Sequence, residues 1–284
     1  MTRDKAAVLG GLGIGVVAAV LVAAPGLTAR QSAVALDRDD IGGVVTGPNG
    51  PEAGVWVIAE TTDLPTRFNR TVVTDDQGRY VVPDLPEATY DVWVRGYGLV
   101  DSAKQQASPG ARLDIAAVVA PDAQAAAQYF PAGYWYSLLE APGPDEFPGT
   151  GPEGNGISPS ISDQATWLRG LKSGGCTACH ALGNKATREV PPQLGEFDSL
   201  VDAWDRRIQS GQAGGSMSGA LDRMGRRRAL EMYADWTGRI MAGELPPTPP
   251  RPRGVERNVV ITQWDWADQH AYLHDEVSTD KRNP

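Results

Sequence analysis

Short apolar runs separated by turn-forming residues occupy the chain from about residue 41 to residue 121. The runs at residues 55–59, 80–82 and 90–94 are rich in β-branched and aromatic side chains, which favour strands. The turn sequence Pro48-Asn49-Gly50-Pro51 separates two of the runs. Strands of this length and spacing predict a β-sandwich over residues 41–121. Further predicted strands are residues 43–46, 71–74 and 113–119.

The apolar spacing becomes helical between residues 161 and 244. Apolar side chains recur every three or four residues along two stretches, as they do on one face of a helix. Asp163 is placed to cap an earlier helix that contains Trp167, Leu168 and Leu171. These patterns predict a small all-α domain. The two stripes are Phe197, Leu200, Val201, Trp204 and Ile208, and then Leu230, Tyr233, Thr237 and Ile240.

Residues 122–160 join the two predicted domains. The aromatic sequence Tyr134-Trp135-Tyr136 is predicted to pack against the edge of the sandwich, with a partner-binding surface as the alternative. Residues 141–160 contain five Pro and five Gly, a composition that predicts a linker. The tail, residues 245–284, begins with a Pro-rich strap and continues with a predicted strand at residues 258–266 that has no predicted partner strand.

The N-terminus is typical of an exported protein. Arg3 and Lys5 precede an almost uninterrupted apolar run over residues 6–24, and small residues follow at 33–35. Because the run is nearly long enough to span a bilayer, residues 1–35 predict either a cleaved signal peptide or an N-terminal anchor. Both alternatives place the remainder in the periplasm or another extracytoplasmic space, and the anchor would hold it at the inner membrane.

Charge and cysteine content exclude several classes of protein. The 284 residues have a formal net charge of -9 and no long basic stretch, so nucleic acid is not expected as a partner. The two cysteines are three positions apart and cannot form a framework of long-range disulfides. Their role is therefore expected to be local.

The sequence Cys176-Thr177-Ala178-Cys179-His180 is C-x-x-C-H, the attachment signature of a c-type haem. Two thiols at this spacing can both form thioether bonds to the haem vinyl groups. The alternatives are a zinc half-site and a redox dithiol. Zinc would need more ligands, of which only His270 and His274 remain, and those two are predicted to be a surface pair. A thioredoxin-like dithiol would need a βαβ pattern near the motif, which the sequence lacks.

Residues 161–244 resemble a small class I cytochrome c in the order helix, C-x-x-C-H, loop, helix, methionine loop, helix. The resemblance implies one covalent haem c, held through Cys176 and Cys179, with His180 as the proximal iron ligand. It also implies that the loop proline, Pro191 or Pro192, accepts a hydrogen bond from the proximal His through its backbone carbonyl.

The sixth iron ligand is expected to be Met217, in the Gly-rich stretch of residues 214–219 where the family places its axial Met. Met224 is the alternative, whereas Met232 and Met241 fit helix positions that serve packing. If neither Met217 nor Met224 ligates the iron, the open site would bind small molecules such as oxygen. The basic cluster Arg226-Arg227-Arg228 is predicted to be a solvated helix face, with docking to an acidic partner or to haem propionates as the alternative.

The first domain has its own resemblance. The ordered motifs Ile41-x-Gly43-x-Val45, Gly54-Val55-x-Val57 and Thr74-Asp75-x-x-Gly78-Arg79-Tyr80 resemble the carboxypeptidase regulatory-like domain, a transthyretin-like sandwich. That domain lacks the catalytic zinc site of the peptidases. This sequence also has no H-x-x-E zinc pair, so peptidase activity is not expected.

Taken together, the patterns predict a multidomain β + α chain with a transthyretin-like β-sandwich followed by a small all-α cytochrome c domain. The expected function is single-electron transfer between a redox donor and an acceptor, with the sandwich positioning the haem domain or binding a partner. The tail resembles a segment that leads into a β-propeller in longer bacterial proteins. An alternative is therefore the electron-accepting part of a larger oxidoreductase, whose propeller lies downstream or on another subunit. A third is a cell-surface binding or sensor module.

Overall fold

A computed structural model describes residues 34–172, 176–178, 180–211 and 213–264. The predicted signal or anchor segment falls outside this part apart from its last two residues. Cys179, His270 and His274 also lie outside the described residues. Within the described part, no helix has both the length and the apolar character needed to cross a membrane.

Two β-sheets are built from residues 41–119 together with the tail strand at residues 260–264, and they are called here the β part. One sheet is antiparallel with the strand order β11-β4-β3-β6-β8. The other has the order β2-β1-β5, with β9 parallel to β1, and a short ribbon pairs β7 with β10. The strands are β1 Ile41–Gly47, β2 Gly50–Pro51, β3 Trp56–Thr61, β4 Phe68–Val73, β5 Arg79–Val82, β6 Tyr90–Arg95, β7 Leu99–Val100, β8 Gln105–Ala107, β9 Ile115–Ala116, β10 Val118–Val119 and β11 Val260–Trp264.

The core of the β part lies between the two sheets. In β3, Val57, Ala59 and Thr61 are buried while the residues between them are half-buried, the alternation expected of a strand with one face on a core. Ile41 and Val45 of β1 face the same core from the other sheet. The predicted β-rich arrangement is therefore present in this part of the chain.

The tail strand is the edge of the five-stranded sheet, which corrects the expectation that it has no partner. Strand β11 pairs antiparallel with β4, with Val260 opposite Val72 and Trp264 opposite Phe68. Side chains reinforce the pairing, since Arg70 Nε donates to Thr262 Oγ1 at 3.0 Å. Because β11 has a partner within the chain, the strand does not need a further domain to complete its sheet.

Seven helices are described in the second part of the chain, called here the helical part. Asp163 accepts the Thr166 N–H at 2.7 Å through Oδ1, so it caps α3 as predicted, and Trp167 and Leu171 of that helix are buried. The predicted stripes are confirmed in part, because Trp204 and Ile208 are buried on α5 and Leu230, Tyr233 and Thr237 on α7, whereas Phe197 lies before α5. The helices are α1 Ala123–Ala127, α2 Ala132–Tyr136, α3 Gln164–Lys172, α4 Lys185–Arg188, α5 Leu200–Ile208, α6 Gly214–Met224 and α7 Arg226–Met241.

Residues 141–160, expected to be a linker, are instead packed against the helices. Ile157 is fully buried in the core of the helical part. Ser158 N–H donates to the carbonyl of Met224 at 3.0 Å, at the corner between α6 and α7. Glu146 accepts two hydrogen bonds from Arg228, at 2.7 and 2.9 Å. The Gly and Pro residues therefore shape a wrapped segment rather than a flexible connection.

The aromatic segment packs between the β part and the helical part. Trp135 is buried, and its carbonyl accepts the indole N–H of Trp236 at 3.0 Å. Phe130 of the same cluster lies edge-on to Tyr97 of the β part, with ring centroids 5.8 Å apart. The segment is thus occupied by contacts within the chain on both sides.

Candidate functional site

An apolar cleft of about 280 Å³ in the helical part brings together the predicted site residues that the structure describes. Cys176, His180, Pro191 and Met217 all line it, although up to 41 positions separate them in sequence. Pro192 comes directly after Pro191 and begins a 3₁₀ turn. The other lining residues are Leu182, Thr187, Leu194, Trp204, Arg207, Ile208, Ser210, Gly211, Leu221 and Tyr233.

Local hydrogen bonds position the motif at one wall of the cleft. Helix α3 leads towards a 3₁₀ turn over Cys176–Ala178. The hydroxyl of Thr177 donates to the carbonyl of Lys172 at 2.5 Å and ties the turn to the end of the helix. The backbone N–H of His180 donates to the carbonyl of Cys176 at 3.0 Å. The chain therefore folds back so that Cys176 and His180 share one wall.

The loop after the motif depends on a glycine. Gly183 has φ +102, and a Cβ at this position would lie 1.9 Å from the carbonyl oxygen of Ala132 in α2. The carbonyl of Gly183 accepts a hydrogen bond from the buried Arg188 at 2.8 Å. This close approach fixes the start of the loop that continues to Pro191.

Two stacked aromatic side chains form another wall. Trp204 of α5 and Tyr233 of α7 lie with ring centroids 4.9 Å apart and planes inclined by 24°. The indole N–H of Trp204 donates to the hydroxyl of Thr237 at 3.0 Å, which in turn donates to the carbonyl of Arg188 at 2.9 Å. This chain of hydrogen bonds holds the indole in one orientation.

Tyr233 also contacts the motif directly. Its hydroxyl donates to Sγ of Cys176 at 3.0 Å, and the side chain is almost entirely buried. Burial raises the pKa of Tyr233 well above its usual value, so the hydroxyl keeps its proton and remains a donor. Sequence periodicity identified Trp204 and Tyr233 only as core positions. No local signal in the sequence distinguishes a cleft wall from a closed core.

The structure places Met217 in a helix rather than in the predicted loop. Met217 lies in the first turn of α6 and is half-buried at the cleft. Met224, the alternative ligand, is buried in the core against Gly170 and is not among the cleft residues. Met232 is buried and Met241 is 70% exposed. Of the methionines in the described residues, Met217 alone lines the cleft.

The two prolines form a short turn at the cleft. The Leu194 N–H donates to the carbonyl of Pro191 at 3.0 Å, and the Gly195 N–H donates to that of Pro192 at 3.1 Å. Both carbonyls thus have a backbone donor within the 3₁₀ turn. Because a carbonyl oxygen has two lone pairs, that of Pro191 keeps the capacity to accept a second hydrogen bond at the cleft.

Arg207 provides a positive charge at the cleft that sequence analysis did not identify. Its guanidinium lies over the ring of Trp204, 5.0 Å from the centroid, and donates to the carbonyl of Glu189. Burial lowers its pKa to about 10, and within the described residues no carboxylate offsets this effect. A half-buried cation next to an apolar cleft favours a ligand with an anionic group.

The predicted basic cluster is a solvated face in part, because Arg227 is exposed while Arg226 and Arg228 are half-buried. Arg226 pairs with Asp205 and Asp222, and the other two members also have acidic partners within the chain. Arg227 pairs with Glu231, and Arg228 pairs with Glu146. All three guanidinium groups therefore have acidic partners within the helical part.

Comparison with known proteins does not assign the chain to a family. No protein-family model matches the chain, and a search of curated proteins found none that matches it significantly. The family resemblances described above therefore remain expectations that rest on the residues of this chain.

Proposed function

We propose that this protein is an exported monohaem c-type cytochrome that transfers single electrons through one covalently bound haem. One observation carries the proposal. Cys176 and His180 of the C-x-x-C-H motif and the distant Met217 line the same apolar cleft. A sulfur anchor, an imidazole and a thioether on one cavity are the groups that a His/Met haem site requires.

The remaining lining of the cleft fits a haem. The wall residues Leu194, Ile208 and Leu221 are apolar, as a porphyrin ring requires. The half-buried guanidinium of Arg207 offers a partner for the carboxylates that a haem bears at its edge. The proposal thus accounts both for the apolar walls and for a cation without an acidic partner in the described residues.

Each site residue has a separate role in this function. Cys176 and Cys179 would hold the haem through thioether bonds, and His180 and Met217 would ligate its iron. The bound haem supplies a one-electron couple between ferrous and ferric iron. The stacked rings of Trp204 and Tyr233 exclude water from the wall of the cleft. An apolar cleft with a His/Met ligand pair would favour the ferrous form and a relatively high reduction potential.

Met217 favours electron transfer over the binding of small molecules. An open coordination position would be needed for oxygen or carbon monoxide to bind. The half-buried thioether of Met217 at the cleft can occupy that position. The donor and acceptor would be redox proteins or a further subunit.

The β part is proposed to be a transthyretin-like module that positions the helical part. The aromatic contact between Tyr97 and Phe130 supports this role. So does the strap, in which Arg251 pairs with Glu52 at 2.6 Å and donates to the carbonyl of Tyr97 at 3.0 Å. These contacts give the β part a structural role that requires no ligand of its own.

Expression with a haem c maturation system tests the proposal. We expect a haem stain that survives denaturing electrophoresis and is lost in the double variant Cys176→Ala/Cys179→Ala. The matched control is Ser210→Ala, which changes a lining residue that takes no part in attachment. A wild-type protein that matures without covalent haem would contradict the proposed function.

A further inference from the structure

The contact between Tyr233 and Cys176 joins a residue of the attachment motif to a helix 57 positions further along the chain. The hydroxyl donates to Sγ at 3.0 Å, and the cysteine is only half-buried, so its sulfur can reach the cleft. A hydroxyl placed here is not needed for packing, because phenylalanine would fill the same space. What the hydroxyl adds to the structure is therefore its hydrogen bond to Cys176.

The surroundings of Tyr233 hold its hydroxyl in place. Its ring stacks on Trp204 and also contacts Trp236, with centroids 6.4 Å apart. Trp204 is fixed in turn by its hydrogen bond to the fully buried Thr237. A donor whose ring is immobilised on two sides can hold an acceptor at a defined point with little loss of side-chain entropy.

We propose that Tyr233 is a positioning residue for haem attachment, which holds the sulfur of Cys176 at the cleft wall in the orientation that thioether formation requires. This inference rests on the proposed function. In the reaction, the sulfur adds to one carbon of a haem vinyl group. A C–S bond forms, the S–H bond breaks, and the hydrogen ends on the neighbouring vinyl carbon. The addition is balanced and needs no oxidant.

The inference makes a site-specific prediction. Tyr233 contacts the sulfur of Cys176, so its hydroxyl is expected to assist attachment at Cys176 and leave attachment at Cys179 unchanged. In Tyr233→Phe the ring and its stacking remain, but the donor is lost. We expect attachment at Cys176 to slow about fivefold, the factor that corresponds to one ordinary hydrogen bond.

The test uses the full chain prepared without haem and then mixed with ferrous haem under anaerobic conditions with a thiol reductant. Peptide mass mapping at successive times gives the attachment rate at each cysteine. The pyridine haemochrome spectrum separately reports how many vinyl groups remain unsaturated. Tyr136→Phe is the matched control, because it removes another hydroxyl near the same sulfur from a residue that does not line the cleft.

The outcomes separate the inference from the proposed function. Slower attachment at Cys176 alone in Tyr233→Phe, with the control unchanged, would support the inference. Equal rates in wild type and Tyr233→Phe would overturn it and leave the proposed function intact. No attachment at either cysteine of the wild type, both in this mixture and after expression with the haem c maturation system, would overturn both.

A measurement on the wild type guards against a variant that fails to fold. We expect a resolved NMR signal from the Tyr233 hydroxyl proton in the haem-free protein, protected from exchange by burial and by the hydrogen bond. Its chemical shift should change in Cys176→Ala. A hydroxyl proton that exchanges with water as rapidly as in an exposed tyrosine would contradict the inference.

Discussion

Replacement of Ile157 by alanine tests whether the Pro- and Gly-rich segment is part of the helical core. The side chain of Ile157 is fully buried among residues of that core, although composition predicted a linker. Ile157→Ala removes three buried carbon groups, at about 0.8 kcal/mol each in transfer free energy. The cavity left behind adds roughly 1 kcal/mol if the segment relaxes only in part. We therefore expect a loss of about 3 kcal/mol in the free energy of unfolding.

Urea denaturation followed by far-UV circular dichroism and tryptophan fluorescence measures this loss. The control is Val255→Ala, which shortens an aliphatic side chain that is 82% exposed and should change stability by less than about 0.5 kcal/mol. If the segment were a flexible linker, the two variants would show equally small losses in the free energy of unfolding. A loss below about 1 kcal/mol for Ile157→Ala would refute the packing described for residues 141–160.

Three further perturbations test other parts of the structure. Hydrogen bonds from Arg228 hold the pKa of Glu146 below its usual value, so the pair stabilises the fold above about pH 4.5 and loses this effect as the pH falls through the folded-state pKa. Glu146→Gln should therefore lower the free energy of unfolding in urea by about 1 kcal/mol at pH 7 and by nearly nothing in acid. An equal loss at both pH values would contradict the ion pair. Gly183→Ala should lower the free energy of unfolding by at least about 2 kcal/mol, measured as a lower Tm, because a Cβ there meets the Ala132 carbonyl. Gly195→Ala should lower the Tm less, because the space around Gly195 is open. Deletion of residues 259–284 should speed hydrogen exchange of the backbone amides in β4, and unchanged exchange would argue against its pairing with β11.

The local sequence pattern was sufficient to predict those helices and strands that are determined by their own residues. The run of β-branched and aromatic residues at 55–59 predicted β3, and the three-to-four spacing of Trp204 and Ile208 predicted α5. The side chain of Asp163 caps α3 as the sequence indicated. In each case the buried face and the end signal lie within a few residues of each other, so no information from elsewhere in the chain is needed.

Sequence reasoning failed where distant parts of the chain meet. Strand β11 pairs with β4, about 190 positions earlier, and no local feature of the tail identifies that partner. Met217 was expected in a loop because its stretch is rich in Gly, a poor helix former, and because the resembled family places its axial Met there. The burial of Leu221 and Met224 nevertheless stabilises helix α6. Packing between elements overrides weak local preferences, and it also brings Arg207 and Tyr233 to the cleft.

The candidate site was predictable to the extent that its chemistry is contained in a motif. C-x-x-C-H identified Cys176 and His180, and both line the cleft. The identity of the methionine and the residues that shape the walls depend on how helices α5, α6 and α7 pack. A sequence pattern of apolar stripes does not show which apolar side chains leave a cavity between them.

The most direct test of the central claim is the absorbance spectrum of the matured protein in its oxidised and reduced forms, compared with that of Met217→Ala. The account predicts a covalently attached haem with the weak long-wavelength band of methionine sulfur bound to ferric iron. It further predicts that the Met217→Ala variant keeps the covalent haem, loses this band, and binds carbon monoxide in the reduced form. Met224→Ala, the matched control, should retain the band. A wild-type protein without covalent haem, or a sulfur band that survives the loss of Met217, would contradict the account.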